Sequence, residues 1–320
     1  MADDQVDVLL IGGGVMSTTL GIMLNQLDPN LKVMLVEQLD QVAHESTHGW
    51  NNAGTGHAGY CELNYTPEDE SGRCHIGKAL GINADFEVSL QLWSYLVEQR
   101  ILPDPHAFIN ATPHQSFVWG ENHVAFLRKR YQLLKAHHLF ADMQYTEDPS
   151  ELKEWMPLIM EGRDHRQPVA ATRVDYGADV DFGALTRSMA EHLRANSNTE
   201  LALGHTVVGM SQRNDGRWQV RIRDEKRHKD RQIDAGFVFI GAGGASLPLL
   251  QKSGIKESSG YGGFPVTANG WCAASRKLLN DIAQKFTARR RLGHPPCPCL
   301  IWIRDLLTGN RLSCLAPLPD

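Results

Sequence analysis

The chain has 320 residues, 42% of them hydrophobic, which is enough to bury a substantial core in one or two domains. A net charge of −5, with no basic helix carrying interleaved aromatic residues, excludes nucleic acid as the expected partner. The start MADDQ is unlike a signal peptide, and no apolar run is long enough to span a bilayer. The six cysteines make no disulfide framework. We therefore expect a cytoplasmic chain or one lying on a membrane.

The first predicted elements are a strand, a glycine turn and a helix. Residues 8–11 form a short apolar run typical of a buried strand, and apolar residues recur at helical spacing over residues 15–24. Against the G-x-G-x-x-G pattern, Gly12 and Gly14 match and Ser17 replaces the last glycine. Such a turn allows a ligand close to the backbone and favours an anion at the helix start, although a glycine turn packed in an ordinary α/β core is the alternative.

A second apolar strand, residues 33–36, follows a turn at residues 28–30 and ends in Glu37. An acid at this distance from the glycines is typical of the residue that accepts hydrogen bonds from a ribose 2′-hydroxyl. The strand, glycine turn, helix, strand and acid together predict a dinucleotide site. They do not separate NAD from FAD, since both carry an adenosine and a pyrophosphate.

The middle of the chain predicts a long loop followed by mixed helices and strands. Residues 45–67 are polar and rich in Gly and Asn without either period, which is typical of a functional loop. Residues 83–99 and 124–138 predict amphipathic helices, with aromatic residues of the first in the core and basic residues of the second on a solvated face. Residues 107–119 are expected to be extended, and residues 179–193 to form a helix with an Asp cap.

The last predicted elements return to the first sheet. Residues 205–223 alternate on both sides of Asn214-Asp215-Gly216, which is a hairpin signal. Residues 237–240 form an apolar strand that runs into a second glycine turn. The nucleotide-binding domain is therefore expected to be discontinuous, with another domain inserted into it.

Eight stretches in the same order resemble the malate:quinone oxidoreductase family: GGGVMSTTLG, GWNNAGTGHA, CELNYTPE, PHQSFVWG, EWMPLIMEGRD, GADVDFGALTR, FVFIGAGGASLPLLQKSGI and GYGGFPV. The resemblance ends at Val266. It implies an FAD-dependent enzyme, peripheral on the inner face of a bacterial cell membrane, that oxidises (S)-malate to oxaloacetate in the tricarboxylic acid cycle and reduces a membrane quinone. The implied fold is an α/β fold with a discontinuous Rossmann-like FAD-binding domain, residues 1–82 and 200–266, and an inserted α+β substrate domain, residues 83–199.

The resemblance also implies which residues bind FAD. Gly12, Gly14 and Glu37 match the family's pyrophosphate and ribose positions, and Ser17 is the family's usual departure from the last glycine of the pattern. In related flavin enzymes the loop after the acid lies along the pyrophosphate and flavin, and the second glycine turn is a second backbone approach to FAD. The candidates from these two segments are Asn52, Gly54, Gly56, His57, Gly241, Gly243 and Gly244.

Oxidation of a secondary alcohol by a flavin requires a base for the hydroxyl proton, and a dicarboxylate requires cations, ideally bidentate arginine. His57 and His114 lie in family-like motifs and are the candidate bases, and Arg173 is the candidate carboxylate clamp. Each has a structural alternative, a hydrogen-bonded interior histidine or an ion-paired arginine. Cys61 has neither a C-x-x-C partner nor a nearby cation, so we expect a buried inert thiol.

Composition changes where the resemblance ends. Residues 268–320 hold four of the six cysteines and carry eight basic against three acidic residues. Their Cys and His residues, including Cys297-Pro298-Cys299, match no four-ligand zinc pattern, so no metal site is predicted. We expect residues 267–320 to be an aberrant tail, produced by a shift of the reading frame near Thr267; an intact frame in the coding DNA would contradict this.

Three alternatives to a malate-oxidising flavoprotein stay open. The first is a related flavoprotein for another 2-hydroxy acid, such as 2-hydroxyglutarate. The second is a catalytically inactive, truncated chain that binds flavin weakly or not at all. The third is an NAD-dependent dehydrogenase, which would reduce nicotinamide without bound flavin.

Overall fold

A computed structural model describes residues 4–56, 58–263, 271–273, 285–288 and 313–315. The predicted tail, residues 267–320, lies outside the described residues apart from three short strands. The strands are β1 (Asp4–Ile11), β2 (Val33–Glu37), β3 (Ile109–Ala111), β4 (His114–Trp119), β5 (Gln144–Thr146), β6 (Val169–Val174), β7 (Ala178–Val180), β8 (Thr199–Leu203), β9 (His205–Gln212), β10 (Trp218–Asp224), β11 (Lys229–Ile240), β12 (Trp271–Ala273), β13 (Lys285–Ala288) and β14 (Ser313–Leu315). The helices are α1 (Val15–Leu27), α2 (Gly77–Glu98), α3 (Glu121–Lys135), α4 (Pro149–Trp155), α5 (Pro157–Met160), α6 (Phe182–Ala195) and α7 (Ser246–Lys252).

The chain divides into two compact units. The first combines Met1–Asn52, Val97–Asp104 and Phe182–Val266, and the second combines Ala53–Leu96, Pro105–Asp181 and Thr267–Asp320. Both glycine turns belong to the first unit. The division into predicted domains, residues 1–82 with 200–266 and residues 83–199, stays a prediction.

The first unit is organised around a six-stranded sheet in the order β8-β2-β1-β11-β10-β9. The first four of these strands are mutually parallel, and β10 pairs antiparallel with both β11 and β9. This confirms the predicted strands after Asp7 and before Glu37, and the predicted hairpin on either side of residues 214–216. The strand β11 begins earlier than predicted, at Lys229, because residues 229–235 complete the antiparallel meander with β10, whereas residues 233–240 pair with β1.

Both faces of β1 and β2 are buried, as their continuous apolar runs predict. Leu10 and Leu35 lie on one face, and Leu9 and Met34 lie on the other, all four fully buried. Burial of each such side chain stabilises the fold by roughly 1.5–3 kcal/mol. On the Leu10 face α1 packs closely against α6, since a Cβ on Gly21 would lie 3.0 Å from a methyl group of Leu193.

A buried carboxylate joins β11 to the turn between β9 and β10, at the end of the sheet opposite the glycine turns. The side chain of Asp234 on β11 is only 5% exposed and accepts hydrogen bonds from Arg213 and Arg217. Arg217 also donates from Nη2 to the carbonyl oxygens of Val6 on β1, at 3.2 Å, and of Asp234, at 3.0 Å. The hydrogen bond from Arg217, with the charges of both arginines, lowers the pKa of the Asp234 carboxyl.

The second unit holds a four-stranded sheet in the order β13-β4-β6-β5 and a two-stranded pair, β3 with β7. Adjacent residues of β4 belong to two hydrophobic cores, one on each face of the four-stranded sheet. Phe117 packs with Leu152 and Trp155 of α4, and Val118 packs with Val124 and Leu127 of α3. The sheet is therefore covered by α3 on one face and by α4 on the other.

Two of the predicted helices need correction. The helix predicted from Asp179 begins only at Phe182, because residues 178–180 pair antiparallel with β3, Asp179 opposite Asn110. The basic residues of α3 are not all on a solvated face, because Arg130 is fully buried. The extended segment predicted at residues 107–119 is two strands, β3 and β4.

We expect Asp234→Asn to lower the urea midpoint of unfolding at pH 7 more than the matched substitution Asp230→Asn. Both carboxyls on β11 pair with arginine and have a lowered pKa, but the Asp230 side chain is 37% exposed and its pair is screened by water. Because the folded-state pKa is lowered, the Asp234 pair stabilises above the ordinary value of 3.8 and is lost as the pH falls through the lowered one. The difference between the variants should therefore shrink in acid; a constant difference would contradict the role given to the pair.

Candidate functional site

The two glycine turns lie side by side at one end of the first sheet, where β1 and β11 end. β1 and β11 are neighbouring parallel strands, in register with Ile11 opposite Ile240, so both turns begin at the same level. The ladder ends in a hydrogen bond of 2.8 Å from the Gly241 N–H to the Ile11 carbonyl oxygen. Two segments more than 200 residues apart in sequence thus form one backbone surface at the carboxyl ends of the strands.

Gly12 is required by the approach of these two turns. Its φ is +100°, a value that side chains disfavour, and a Cβ there would lie 2.5 Å from the Gly241 carbonyl oxygen. Gly243 in the second turn also has a positive φ, of +52°. Gly244 has open space around its Cβ position. The conformational need for glycine is therefore strongest at Gly12.

Ser17 fills the position where the pattern expects its last glycine. It is fully buried on α1, and a Cβ on Gly241 would collide with the Ser17 Oγ. The Oγ of Ser17 has no hydrogen-bond partner among the described residues. The first helix and the second turn thus contact each other through a small residue and a glycine, and a buried hydroxyl is left there without a partner.

Glu37 places its carboxylate against the first turn. It is the last residue of β2, and its Oε2 accepts a hydrogen bond from the Gly13 N–H at 2.5 Å. Its Oε1 accepts from the Leu39 N–H at 2.8 Å. Glu37 therefore lies against the first turn, and its role towards a ribose stays a prediction.

The start of α1 suits an anion. Its N-cap residue, Gly14, has no side chain to cap the helix, and the first turn holds no acidic residue. The N–H groups and the dipole at the start of a helix favour negative charge. Thr47 supplies a hydroxyl beside this end, where its Oγ1 accepts from the Val15 N–H at 3.2 Å.

The sequence reasoning missed two hydroxyl residues that line both turns. A Cβ on Gly14 would lie 3.2 Å from the Oγ1 of Thr47, and a Cβ on Gly243 would lie 3.3 Å from the Oγ of Ser46. Both residues lie in the loop of residues 45–67, which the sequence predicts to be functional. The sequence feature that could have indicated them is a pair of neighbouring hydroxyl residues shortly after Glu37. Asn52 folds this loop, since its Nδ2 donates to the carbonyl oxygens of Ser46 and His48.

The other loop candidates lie in the second unit. Gly54 and Gly56 both have positive φ, +57° and +63°. The Gly54 carbonyl oxygen accepts from the Val180 N–H at 2.7 Å, and a Cβ on Gly56 would collide with the ring of Phe86. These contacts explain the glycines by packing within the unit. His57 lies outside the described residues.

The two other catalytic candidates are held by contacts within the second unit. His114 is buried, its Nε2 donates to the Ala178 carbonyl oxygen at 2.9 Å, and its ring meets Tyr60 edge to face. The guanidinium of Arg173 pairs with Asp175 at 2.5 Å and lies 5.7 Å from the centre of the Trp155 ring. The structural alternatives therefore apply to both residues, and their catalytic roles stay predictions.

A buried arginine holds residues 59–66, the segment that follows Gly54 and Gly56. Arg130 on α3 donates from Nη2 to the carbonyl oxygens of Gly59, at 3.2 Å, and Tyr60, at 3.1 Å. Its Nε donates to Thr66 Oγ1 at 3.1 Å, and burial lowers its pKa to about 10. The carboxylate of Glu62, also buried, has no hydrogen-bond partner among the described residues. Its charge acts on Arg130 and offsets part of the cost of burying that cation.

Four further findings concern a cavity, metals, a cysteine and membrane spans. A cavity of about 450 Å³ lies at α4 and α5, lined by residues including Lys153, Leu158 and His165, and it holds none of the predicted site residues. Within the described ranges, no group of His, Cys, Asp or Glu side chains is arranged to hold a metal ion. Cys61 is buried, as expected, and forms no disulfide. In the part of the chain that the structure describes, no helix has the length and apolar character to cross a bilayer.

The fold is that of the FAD-dependent oxidoreductases with a Rossmann-like domain. Glycine oxidase from Geobacillus kaustophilus superposes with a TM-score of 0.65 at 15% identity, over 98% of this chain and 71% of that one. An L-α-glycerophosphate oxidase from Mycoplasma pneumoniae, solved with FAD bound, gives 0.63 at 16% identity, over 98% of this chain and 72% of that one. At these identities the likeness concerns the fold, and it confirms the predicted fold class.

The family follows from sequence. The family model for malate:quinone oxidoreductase matches residues 4–300. Probable malate:quinone oxidoreductases of Hahella chejuensis and Methylobacillus flagellatus are 60% and 57% identical to the chain, over 92% and 91% of its length. The chain belongs to the malate:quinone oxidoreductase family, as the resemblance predicted. It spans 60% and 59% of the length of these two relatives, and the family match continues past Val266, where the motifs had placed its end.

We expect Gly12→Ala to destabilise the protein, because the new methyl group would meet the Gly241 carbonyl oxygen at a strained φ. The cost is on the order of 1–3 kcal/mol. The matched substitution Gly244→Ala, whose Cβ meets nothing within 4 Å, should change the free energy of unfolding by less than about 0.5 kcal/mol. Chemical denaturation of both variants measures the difference, and equal shifts would contradict the close approach of the two turns.

Proposed function

We propose that the chain carries the FAD-binding part of a malate:quinone oxidoreductase, which oxidises (S)-malate to oxaloacetate and passes the electrons to a membrane quinone in the tricarboxylic acid cycle. Family membership supports the reaction. The observation that carries the cofactor assignment is the adjacency of two glycine turns that are far apart in sequence, with an acid at the first of them. The whole reaction is a proposal because the chain spans about three fifths of its relatives.

The residues of the first unit fit a dinucleotide. The pyrophosphate would lie at Gly12, Gly14 and the start of α1, where no side chain of the N-cap residue or acid of the first turn competes with it. The carboxylate of Glu37 would accept from the ribose. Ser17 and Thr47 would present hydroxyls beside the phosphates, and the unpartnered Ser17 Oγ is a reason to expect a polar group nearby. The second backbone approach would come from Gly241, Gly243 and Gly244, with Ser46 beside them.

The loop residues Asn52, Gly54 and Gly56 are proposed to lie along the pyrophosphate and flavin. Asn52 supports this indirectly, since its two hydrogen bonds hold the loop that carries Ser46 and Thr47. Gly54 and Gly56 carry no side chain, and their positive φ values are ones that glycine adopts readily. When bound, FAD supplies the acceptor for a hydride from the substrate carbon.

The substrate side of the proposal rests on His57, His114 and Arg173. A base must accept the malate hydroxyl proton as the carbonyl forms. The donation from His114 Nε2 to a carbonyl oxygen fixes the tautomer of the neutral ring, so a base role would use Nδ1. Arg173 is pre-oriented by Asp175 and Trp155, and a fixed guanidinium is suited to bind a carboxylate in a bidentate manner.

The quinone, the cytoplasmic location and the peripheral contact with the inner face of a bacterial membrane are proposed from the family alone. Two outcomes compete with the malate reaction. A preference for 2-hydroxyglutarate would indicate a related 2-hydroxy-acid dehydrogenase. A colourless protein without affinity for FAD would indicate a catalytically inactive chain.

We expect the purified chain to bind FAD, with Glu37→Ala weakening the affinity by at least about tenfold, the effect of losing a charge-assisted hydrogen bond. Titration followed by flavin fluorescence gives the dissociation constant. Glu45→Ala is the matched control, since it removes an exposed acid from the neighbouring loop and should leave the affinity unchanged. Saturable binding that is equal in both variants would contradict the role of Glu37, and no saturable binding would contradict the cofactor assignment.

We expect the FAD-loaded protein to reduce a dye acceptor with (S)-malate and not with 2-hydroxyglutarate. Arg173→Lys should raise KM for malate by about tenfold, because lysine cannot form the bidentate pair. Arg166→Lys, at an exposed position on the preceding loop, is the control and should leave KM unchanged. Steady-state rates with both acids decide the substrate, and reduction of NAD by flavin-free protein would indicate the nicotinamide alternative.

A further inference from the structure

The cavity in the second unit has an apolar lining that the core supports. It measures about 450 Å³ and lies at α4, α5 and the loop that leads into β6. Its lining residues all come from residues 149–169, so the cavity belongs to one unit. Leu158 and Met160 line it, and both also pack on the core that contains Phe117 and Trp155. The apolar part of the lining is therefore held in place by the core.

Arg163 brings a fixed positive charge to this lining. It is half-buried, and its guanidinium carbon lies 4.9 Å from the centre of the Phe117 ring. Its Nε donates to the Ile159 carbonyl oxygen at 3.1 Å, and its Nη1 donates to the Oε1 of Gln167. These three contacts hold the guanidinium in one position.

No carboxylate neutralises this cation in the part of the chain that the structure describes. Burial lowers the pKa of Arg163, and no acid offsets that effect. Arg173 and Arg217, by contrast, are each paired with an aspartate. The hydrogen bonds of Arg163 within the described ranges use only Nε and Nη1, which leaves the donors of Nη2 for another acceptor. A partly buried cation with unused donors is suited to bind an anion.

The other charged groups of the lining limit the kind of anion that fits. Lys153 adds a second cation, whereas Glu161 and Asp164 add two carboxylates. With His165 neutral, the charges of the lining therefore cancel. A ligand with several negative charges, such as a nucleotide, would be repelled by the two carboxylates, so a single negative charge is favoured.

The volume of the cavity sets the size of the ligand. Sites for small organic molecules measure roughly 300–1,000 Å³, and they combine a mostly apolar lining with a few polar groups. A cavity of about 450 Å³ lies in the lower part of this range. It therefore suits a compact molecule, such as a single ring with a short side chain.

We propose that the cavity at α4 and α5 is a binding site for a small organic acid with one carboxylate and an apolar body. The carboxylate would accept hydrogen bonds from Nη2 of Arg163, and the apolar body would lie against Leu158 and Met160. The cavity holds none of the predicted FAD or malate residues, so this inference does not depend on the proposed function. Malate, with two carboxylates and no apolar body, is a poor match for the cavity.

A titration of the purified full chain, followed by ligand-observed NMR, tests the proposal. The probe is 4-phenylbutyrate, and the matched neutral ligand is its amide, 4-phenylbutanamide. We expect saturable binding of the acid and an affinity at least tenfold lower for the amide, because the amide loses the charge-assisted hydrogen bonds to the guanidinium. Added malate should not displace the probe.

Three arginine variants locate the charge that binds the probe. Arg163→Gln should weaken the binding of 4-phenylbutyrate at least tenfold. Arg166→Gln is the matched control, since Arg166 is exposed on the same loop and does not line the cavity, and it should leave the affinity unchanged. Arg173→Lys, at the predicted carboxylate clamp, should also leave it unchanged.

A measurement on the wild-type chain locates the apolar body. Nuclear Overhauser effects should connect the phenyl ring of the probe to the methyl groups of Leu158 and Met160. Because this measurement needs no variant, it decides together with the acid–amide comparison if circular dichroism shows that Arg163→Gln is unfolded.

Four outcomes would overturn the proposal. The first is no saturable binding of 4-phenylbutyrate by the wild-type chain, and the second is equal affinity for the acid and the amide. The third is an equal loss of affinity in folded Arg163→Gln and Arg166→Gln, or contacts of the bound ring that exclude Leu158 and Met160. The fourth is loss of binding in Arg173→Lys with binding retained in Arg163→Gln, which would make the predicted substrate residues the site of the probe.

Discussion

The parallel pairing of β1 with β11 is the constraint on which the candidate site depends. Its last hydrogen bond, from the Gly241 N–H to the Ile11 carbonyl oxygen, sets two turns at one level although they are more than 200 residues apart. The positive φ of Gly12 and the small side chain of Ser17 follow from this, because each lies against the second turn. A slip of one residue in the register would reverse the faces of every β11 side chain and separate the turns.

Local patterns allowed the first unit to be predicted well. A buried apolar strand, a glycine turn and a helix are encoded within some twenty residues, and the position of Glu37 follows from the length of that unit. The hairpin of β9 and β10 carries its own turn signal at residues 214–216. The return of β11 to β1 is a long-range feature, but a second apolar run ending in glycines indicated it.

The features that could not be predicted depend on distant partners. Arg130 looked like a surface residue because a basic side chain in an amphipathic helix is usually solvated. It is buried because three oxygen atoms from residues 59–66 receive its hydrogen bonds. Asp179 matches the sequence pattern of a helix cap, but it pairs with Asn110 of β3 and therefore lies in a strand. Thr47 lies beside α1 only because the loop folds back, which no period in the sequence indicates.

The contact of Arg217 has a consequence for how the chain tolerates change. This side chain joins the hairpin to Asp234 of β11 and to the backbone of β1, at the end of the sheet away from the glycines. Strands are stiff along their length, so an anchor at one end determines the alignment at the other. Residues at the far end of the sheet can therefore influence how well the two glycine turns are aligned.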